Sequence, residues 1–276
     1  MNVAFISPHA DDICLSLMGL VSHMVASKHL VTVFSDSEWT EPTWTMPAEH
    51  SVTAVRRGED VAYCERWAFS YHEIGLPDSS VRHEGKGNLR RRSGQERALL
   101  AVAEERLCTL VSEHGFEVLI GPLGLGSHTD HLVTSVATRN AARRTGAAAF
   151  YYEDLPYASE MALSRIRRRA RRLAPFAVPV TCYTGLSLED KASAMDIYAS
   201  QHRDVHVASV FGHSTRLAAG RDGGTSISGH TAVVERLWTQ SDGPSLISLC
   251  DSSIEMYAES KPRFSLRMAV PGPRRL

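Results

Sequence analysis

The chain of 276 residues carries 30 basic and 31 acidic side chains, a net charge of −1, and is 43% hydrophobic. This length and hydrophobicity suffice for a full core, and the balanced charge argues against nucleic-acid or membrane binding. The N-terminal apolar run has no preceding basic region and is interrupted by acidic residues, so we expect neither a signal peptide nor a membrane span. Five scattered cysteines without a CxxC pair favour reduced thiols and a cytoplasmic protein: Cys14, Cys64, Cys108, Cys182 and Cys250.

The first dozen residues place three polar side chains directly after an apolar run. Residues 3–6 are typical of a fully buried strand, which ends at Ser7-Pro8. His9, Asp11 and Asp12 follow within four residues. In an open α/β sheet, ligands gather outside the carboxyl ends of the strands. These three side chains are therefore predicted to lie where such a fold places its chemistry.

The rest of the chain alternates predicted strands and helices. In chain order we predict a helix at 13–26, a strand at 30–34, a loop at 35–51, a helix at 52–69, a strand at 72–74, a loop at 77–95, a helix at 95–113, a strand at 117–120, a strand at 150–152 and a helix at 157–173. This alternation predicts an α/β fold, a Rossmann-like, mostly parallel sheet with helices on both faces.

Beyond residue 175 the pattern is less regular. We predict a strand at 178–183, a helix at 188–200 and glycine-rich loops at 220–230, with a lid at 220–224. The expected organisation is one domain over residues 1–276, with a core at 1–175 and a C-terminal extension of the same domain at 176–276.

A second polar cluster follows the predicted strand at 117–120. The glycine-rich turn at 121–127 leads to His128-Thr-Asp130-His131 at the start of a helix. Alone, an aspartate at such a turn is usually a helix cap and a histidine usually a surface or core residue. Both clusters should emerge at one sheet edge, where three imidazoles and three carboxylates could supply the three ligands and the base of a catalytic zinc site. Spacing alone does not name the reaction.

These two clusters carry a family resemblance. Ser7-Pro-His-Ala-Asp-Asp12 resembles the (A/P)-H-P-D-D-E signature of the LmbE-like (PIG-L) zinc-dependent N-deacetylases, and residues 128–131 are similar to the H-P-D-H signature of that family. Residues 56–59, 151–157 and 191–201 extend the resemblance over about residues 1–205 in matching order. Ala10, Thr129 and Ile13 depart from the signatures, but none of the departures removes a metal ligand.

The resemblance implies one Zn²⁺ per chain, with another divalent ion as the alternative. It implies that Asp11 is the general base on the metal-bound water. His128 would stabilise the oxyanion or serve as the acid, oriented by Asp130 as a carboxylate–histidine pair. The implied metal ligands are His9, Asp12 and His131.

Four further residues are candidates for substrate binding. Arg56 is similar to an arginine of the family near the substrate, although an ion pair with Glu59 would equally explain it. Asp78 follows a proline and either binds a sugar hydroxyl or shapes the turn. Trp39 and Trp44 lie in the long loop and either stack on a sugar or anchor the loop to the core.

Two other features leave their roles open. The arginine-rich segment 165–172 is interpreted as the solvated face of a helix that buries Ile166, Ala170 and Leu173, with binding of an anionic substrate as the alternative. Three histidines follow near Gln201, and one of them could border the substrate: His202, His206 and His213.

The expected function is removal of an N-acyl group, most simply N-acetyl, from a small amino-sugar or glycoside substrate. The alternatives are an amidase of the same fold acting on a thiol conjugate, a metal-dependent phosphohydrolase and a catalytically silent binding protein. The expected partner is a small, sugar-containing N-acylated molecule, with no nucleic acid and no membrane insertion. The sequence leaves the oligomeric state open, a homo-oligomer included.

Overall fold

A computed structural model describes residues 1–82, 94–175, 177–202, 204–219, 232–239 and 246–258. The described residues form one sheet in the order β3-β2-β1-β4-β5-β7-β6-β8. Strands β1 to β5 pair in parallel, whereas β7 pairs antiparallel with β5 and β6, and β8 antiparallel with β6. The strands are β1 (Asn2–Ser7), β2 (Ser27–Thr32), β3 (Phe69–Glu73), β4 (Phe116–Pro122), β5 (Ala148–Tyr152), β6 (Val178–Ser187), β7 (Ala232–Thr239) and β8 (Glu255–Ala258).

Helices cover both faces of the sheet, as the sequence predicts. One apolar core lies beneath α1, α2, α5 and α6, and a second core lies beneath α3 and α4 on the opposite face. The helices are α1 (Asp12–His23), α2 (Val52–Trp67), α3 (Gly94–His114), α4 (Thr129–Thr145), α5 (Leu163–Leu173), α6 (Leu188–Met195) and α7 (Asp204–Ala219). The α/β, Rossmann-like prediction is confirmed. Among the described helices, none combines the length and the apolar character needed to cross a bilayer.

The order of the first five strands explains where a site can form. Strand β1 lies between β2 and β4, and the chain runs outward from β1 in both directions. This reversal of strand order opens a crevice at the carboxyl ends of β1 and β4, the usual ligand position in open α/β sheets. The apolar side chains of β1, from Val3 to Ile6, are fully buried, so the strand holds its last residues firmly at this edge.

Helix α1 contains a kink that a buried carboxylate stabilises. Leu17 has non-helical backbone angles. The N–H groups of Gly19 and Leu20 donate to the two carboxylate oxygens of Glu235, each at 2.9 Å. Lys191 donates to Glu235 at 2.8 Å, and both side chains are almost completely buried. The pair therefore fastens α1 and α6 to β7.

Several predicted boundaries are wrong. The single helix predicted at 157–173 is a 3₁₀ turn (Tyr157–Glu160) followed by α5, because Met161 and Ala162 are extended. The helix predicted at 188–200 ends at Met195 and continues as a 3₁₀ turn (Asp196–Tyr198). Strand β2 begins and ends earlier than the predicted 30–34. The region after 175, for which one strand at 178–183 is predicted, adds three strands to the same sheet.

Helix α5 buries the predicted apolar face. Ile166, Ala170 and Leu173 are at most 2% exposed, whereas four of the six arginines are exposed. Arg169 instead donates from Nε to the carbonyl of Leu123 at 2.8 Å. Residues 83–93 of the predicted loop at 77–95, and the glycine-rich stretch 220–230 with its predicted lid at 220–224, lie outside the described residues.

Candidate active site

A cavity of about 510 Å³ opens at the carboxyl ends of β1 and β4. Both polar clusters contribute to its wall, because the loop after β1 and the turn before α4 meet at this edge. Most of the residues that line it are of polar type, and one aromatic residue comes from the loop between β2 and α2. The lining residues are His9, Asp11, Asp12, Leu15, Trp39, Arg56, Asp78, Ser79, Ser80, His128, Thr129, His131, Leu155, Pro156, Tyr157, Gln201 and His206.

His9, Asp12 and His131 converge as the resemblance implies. One ligand atom from each lies within 4.8 Å of the others. Asp12 lies between the two rings, with Oδ2 3.5 Å from His9 Nδ1 and Oδ1 3.5 Å from His131 Nε2. The His9 backbone N–H donates to Asp12 Oδ2 at 2.9 Å, which fixes the carboxylate at the first turn of α1. Two imidazoles and one carboxylate are a donor set that suits a catalytic divalent ion such as zinc.

Each of these histidines is backed by a second carboxylate. His131 Nδ1–H donates to Asp154 at 2.7 Å, and His9 Nε2–H donates to Asp130 at 3.0 Å. The bonds leave His131 Nε2 and His9 Nδ1 directed toward Asp12, which is the orientation that metal-binding histidines take from such partners. Sequence reasoning missed Asp154, although the acidic pair at 153–154 directly after β5 repeats the pattern seen after β1.

The charges around His9 favour a cation. Burial alone would lower the pKa of the imidazole, but hydrogen bonds to Asp12 and Asp130 raise that pKa to about 10. The pKa of Asp12 is lowered, because attraction to His131 and His9 exceeds the opposing effect of burial. The residues present thus fit a metal ion in both donor chemistry and charge.

Asp130 has a different partner from the one expected. Its carboxylate accepts from Arg82 at 2.5 Å, from the Ser79 backbone N–H at 3.0 Å and from His9. These contacts lower the pKa of Asp130 despite burial. The expected carboxylate–histidine pair with His128 is absent among the described contacts; in its place, the Asp130 backbone N–H donates to His128 Nδ1 at 3.3 Å. The reason is that His128 is the N-cap of α4, where its ring accepts from the helix backbone.

His128 is consequently a neutral hydrogen-bond donor toward the cavity. Because Nδ1 accepts, Nε2 carries the proton, and it lies 3.3 Å from the hydroxyl of Ser79. Burial, followed by the positive charge at His9, lowers the pKa of His128 to about 3. A second possible metal group joins His9, His128 and Asp130. We favour the first group, because Arg82 already neutralises Asp130.

Asp11 presents a carboxylate to the same cavity. It is the N-cap of α1, but its side chain makes no capping hydrogen bond. Its φ of 104° lies in a region that non-glycine residues rarely adopt, and such strain is concentrated at functional sites. Burial, and then the neighbouring charge of Asp12, raise the pKa of Asp11 well above its usual range. The two adjacent aspartates therefore differ in environment, as different roles require.

The four predicted substrate residues differ in their contacts and in their positions relative to the cavity. Arg56 does not pair with Glu59; its Nη1 donates to Ser37 at 2.5 Å and contacts Asp78 at 3.4 Å. Asp78 accepts from the turn residues at 80 and 81 and so shapes the turn. It also lines the cavity, where binding of a sugar hydroxyl stays a prediction. Trp39 lies at the cavity and is 42% exposed. Trp44 is half-buried and is not among the described lining residues.

The three histidines near Gln201 have different surroundings. His213 Nε2 donates to the buried Glu153 at 2.9 Å, and His213 is not among the described residues that line the cavity. His206 lines the cavity. His202 lies behind it, against Asp11.

Comparison with known proteins identifies the family. The model of the PIG-L family, described as GlcNAc-PI de-N-acetylase, matches residues 4–142. The 2'-N-acetylparomamine deacetylase of Streptomyces fradiae is 32% identical over 248 residues, covering 85% of this chain and 88% of that protein. The chain belongs to the PIG-L family. The matched region contains both polar clusters, from His9 to His131, so the family assignment and the site geometry rest on the same residues.

Solved structures share the fold. A deacetylase of the A40926 pseudoaglycone has a TM-score of 0.62 at 22% identity, covering 86% of this chain and 96% of that chain. A deacetylase in complex with teicoplanin has a TM-score of 0.64 at 18% identity, covering 87% and 98%. At these identities the two structures support the fold of this chain and no finer conclusion.

Proposed function

We propose that this chain is a metal-dependent deacetylase that hydrolyses the N-acetyl group of an amino sugar within a small glycoside. The observation that carries the proposal is the convergence of His9, Asp12 and His131 beside the uncapped carboxylate of Asp11. The 32% identical relative is named 2'-N-acetylparomamine deacetylase, which makes 2'-N-acetylparomamine the first substrate to test. We further propose that residues 1–276 act as one domain.

The residues supply each requirement of amide hydrolysis. A Zn²⁺ ion held by His9, Asp12 and His131 would lower the pKa of a neighbouring water and polarise the amide carbonyl. Asp11 takes the proton of the attacking water, whose oxygen bonds to the acetyl carbon. The raised pKa of the Asp11 carboxyl suits a base that works near neutral pH. His128 donates from Nε2 to the carbonyl oxygen as negative charge develops there.

The second half of the reaction uses the same groups. The bond between the acetyl carbon and the amine nitrogen breaks, and Asp11 returns its proton to that nitrogen. The products are acetic acid and the amine, and transfer of the acid's proton to the amine gives acetate and ammonium, so atoms and charge balance. Asp130 and Asp154 do not touch the substrate in this scheme; they orient His9 and His131 through the hydrogen bonds described above.

The shape of the cavity supports a small, hydroxyl-rich substrate. Its volume of about 510 Å³ falls within the usual range of small-molecule pockets. Trp39 at the opening offers an apolar face on which a sugar ring can stack, and Arg56 and Asp78 offer polar groups nearby. A two-metal phosphohydrolase is a weaker proposal, because the two possible metal groups of the described residues share His9 and so form one compact set.

Purified protein tests the proposal directly. We expect one zinc per chain by elemental analysis and release of acetate and primary amine from 2'-N-acetylparomamine, with N-acetylglucosamine, an N-acyl thiol conjugate and a phosphomonoester in the same panel. Asp11→Ala should abolish turnover while the metal stays bound, and His131→Ala should lose the metal. Full turnover by Asp11→Ala, or hydrolysis of the phosphomonoester alone, would contradict the proposal.

A further inference from the structure

His202 lies against the carboxylate of Asp11 without belonging to either polar cluster. Its Nε2 is 3.8 Å from Asp11 Oδ2, and its side chain is 7% exposed. Within the described part of the chain, neither ring nitrogen has a hydrogen-bond partner. A buried polar group without a partner costs about 1–3 kcal/mol, and such groups usually have a functional reason.

Packing fixes the position of this ring. Tyr198 contacts it edge to face, with ring centroids 6.1 Å apart. Tyr198 is 1% exposed and donates its hydroxyl to Asp60 at 3.0 Å, so it is itself held firmly. The ring of His206 contacts His202 from another side at 6.0 Å. His202 is thus supported by aromatic rings and directed at Asp11.

Asp11 needs an orienting partner that the two clusters do not provide. Its backbone directs the side chain into the cavity, but its carboxylate caps no helix N–H. Among the described histidines, lysines and arginines, His202 is the one with a side-chain nitrogen within 4.0 Å of this carboxylate. The separation of 3.8 Å exceeds a hydrogen bond by about 1 Å. Because packing holds the ring of His202, the Asp11 side chain would have to move to close this distance. Burial and the neighbouring His206 lower the pKa of His202 to about 4, so the ring is neutral and offers one N–H.

We propose that His202 is the positioning residue for Asp11: its Nε2–H donates to Asp11 Oδ2 in the working enzyme and leaves Oδ1 to face the attacking water. The catalytic consequence rests on the deacetylase function proposed above. The contact between the side chains of His202 and Asp11 does not depend on that function and is tested separately.

The kinetic test compares His202→Ala and His202→Gln with wild-type zinc-loaded protein. The substrate is whichever member of the panel above the wild type hydrolyses fastest. We expect His202→Ala to lower kcat by about 10- to 100-fold, the effect of misplacing a catalytic group by about 1 Å. KM and zinc content should stay unchanged. His202→Gln, which retains an N–H donor, should recover part of the loss. His29→Gln, a half-buried histidine of β2, is the matched control and should keep wild-type kcat.

Ring ¹⁵N NMR of the zinc-loaded chain tests the contact without turnover. Asp11→Asn should shift the His202 Nε2 signal, whereas His29→Gln should leave it in place. If wild-type protein hydrolyses no substrate but the signal shifts, the deacetylase function fails and the contact stands. Wild-type kcat in His202→Ala, or an unmoved His202 signal in Asp11→Asn, overturns the positioning role. If His202→Ala does not fold, His202→Gln and the NMR spectra decide.

Discussion

Asp154 provides the sharpest test of the metal site, because sequence motifs do not include it. Its side chain is fully buried and accepts from His131 Nδ1–H at 2.7 Å. The backbone N–H of Gly124 donates to both carboxylate oxygens, at 3.2 and 3.0 Å. The residue therefore links the turn after β4, the end of β5 and the imidazole that would bind metal.

We expect Asp154→Asn to weaken zinc binding by about 10- to 100-fold, the usual effect of removing a carboxylate behind a metal-binding histidine. This range equals about 1.4 to 2.8 kcal/mol of binding free energy. The amide keeps the shape of the side chain but removes the negative charge that faces His131 Nδ1–H. It also turns an NH₂ group toward Gly124 or His131, both of which need an acceptor.

Competition for zinc with a chelator of known affinity measures the change. Asp251→Asn is the matched control, because Asp251 makes the same kind of pair with His23, at 3.3 Å, but is 43% exposed and outside the cavity lining. The control should bind zinc as the wild type does. Equal zinc affinity in Asp154→Asn and wild type, with both proteins folded by circular dichroism, would refute the reasoning.

Three further predictions follow from other parts of the structure. Trp39→Ala should raise KM by roughly 3- to 10-fold with little change in kcat, since a lost aromatic contact is worth about 0.5–1.5 kcal/mol. Trp44→Ala is the control, and an equal effect of the two substitutions on KM would contradict sugar stacking at the opening. Lys191→Met should destabilise the protein by about 3–5 kcal/mol in urea unfolding, because it leaves Glu235 buried and unpaired; a loss below 1 kcal/mol would contradict this. After chelation of metal, the free energy of unfolding should fall as the pH rises from 6.5 toward 10. The reason is that the raised pKa of His9 stabilises the fold only while the ring is protonated. A free energy of unfolding that does not change with pH would show that the ring is not held as described.

The sequence predicted those parts of the site that depend on neighbouring residues or on strands that end at the same edge of the sheet. His9, Asp12 and His131 meet because β1 and β4 are parallel neighbours whose carboxyl ends share one edge of the sheet. The apolar runs and the turn residues after them suffice for that inference. Adjacency predicted that Asp11 and Asp12 direct their side chains differently, whereas the choice of Asp12 as the metal ligand came from the family resemblance.

The contacts that orient the metal ligands could not be predicted, because they join residues far apart in the chain. Arg82 reaches Asp130 across 48 residues, and Asp154 reaches His131 across 23. Which carboxylate meets which ring depends on how the loop after β3 and the end of β5 pack over the helix start. The family resemblance implied a pair between His128 and Asp130 instead.

The helix start explains why that pair does not form. As the N-cap, His128 directs Nδ1 to the backbone N–H of Asp130, so its ring is fixed by the main chain rather than by a carboxylate. The Asp130 carboxylate is then free to cross the site to His9, with Arg82 balancing its charge. The motif at residues 128–131 thereby orients two rings: His128, which would donate to the substrate, and His9, which would bind the metal. The N-cap bond of His128 is made with the main chain of Asp130, so the substitution Asp130→Asn leaves it in place. This substitution should therefore disturb the metal ligand His9 more than it disturbs His128. The motif alone predicts the larger effect on His128.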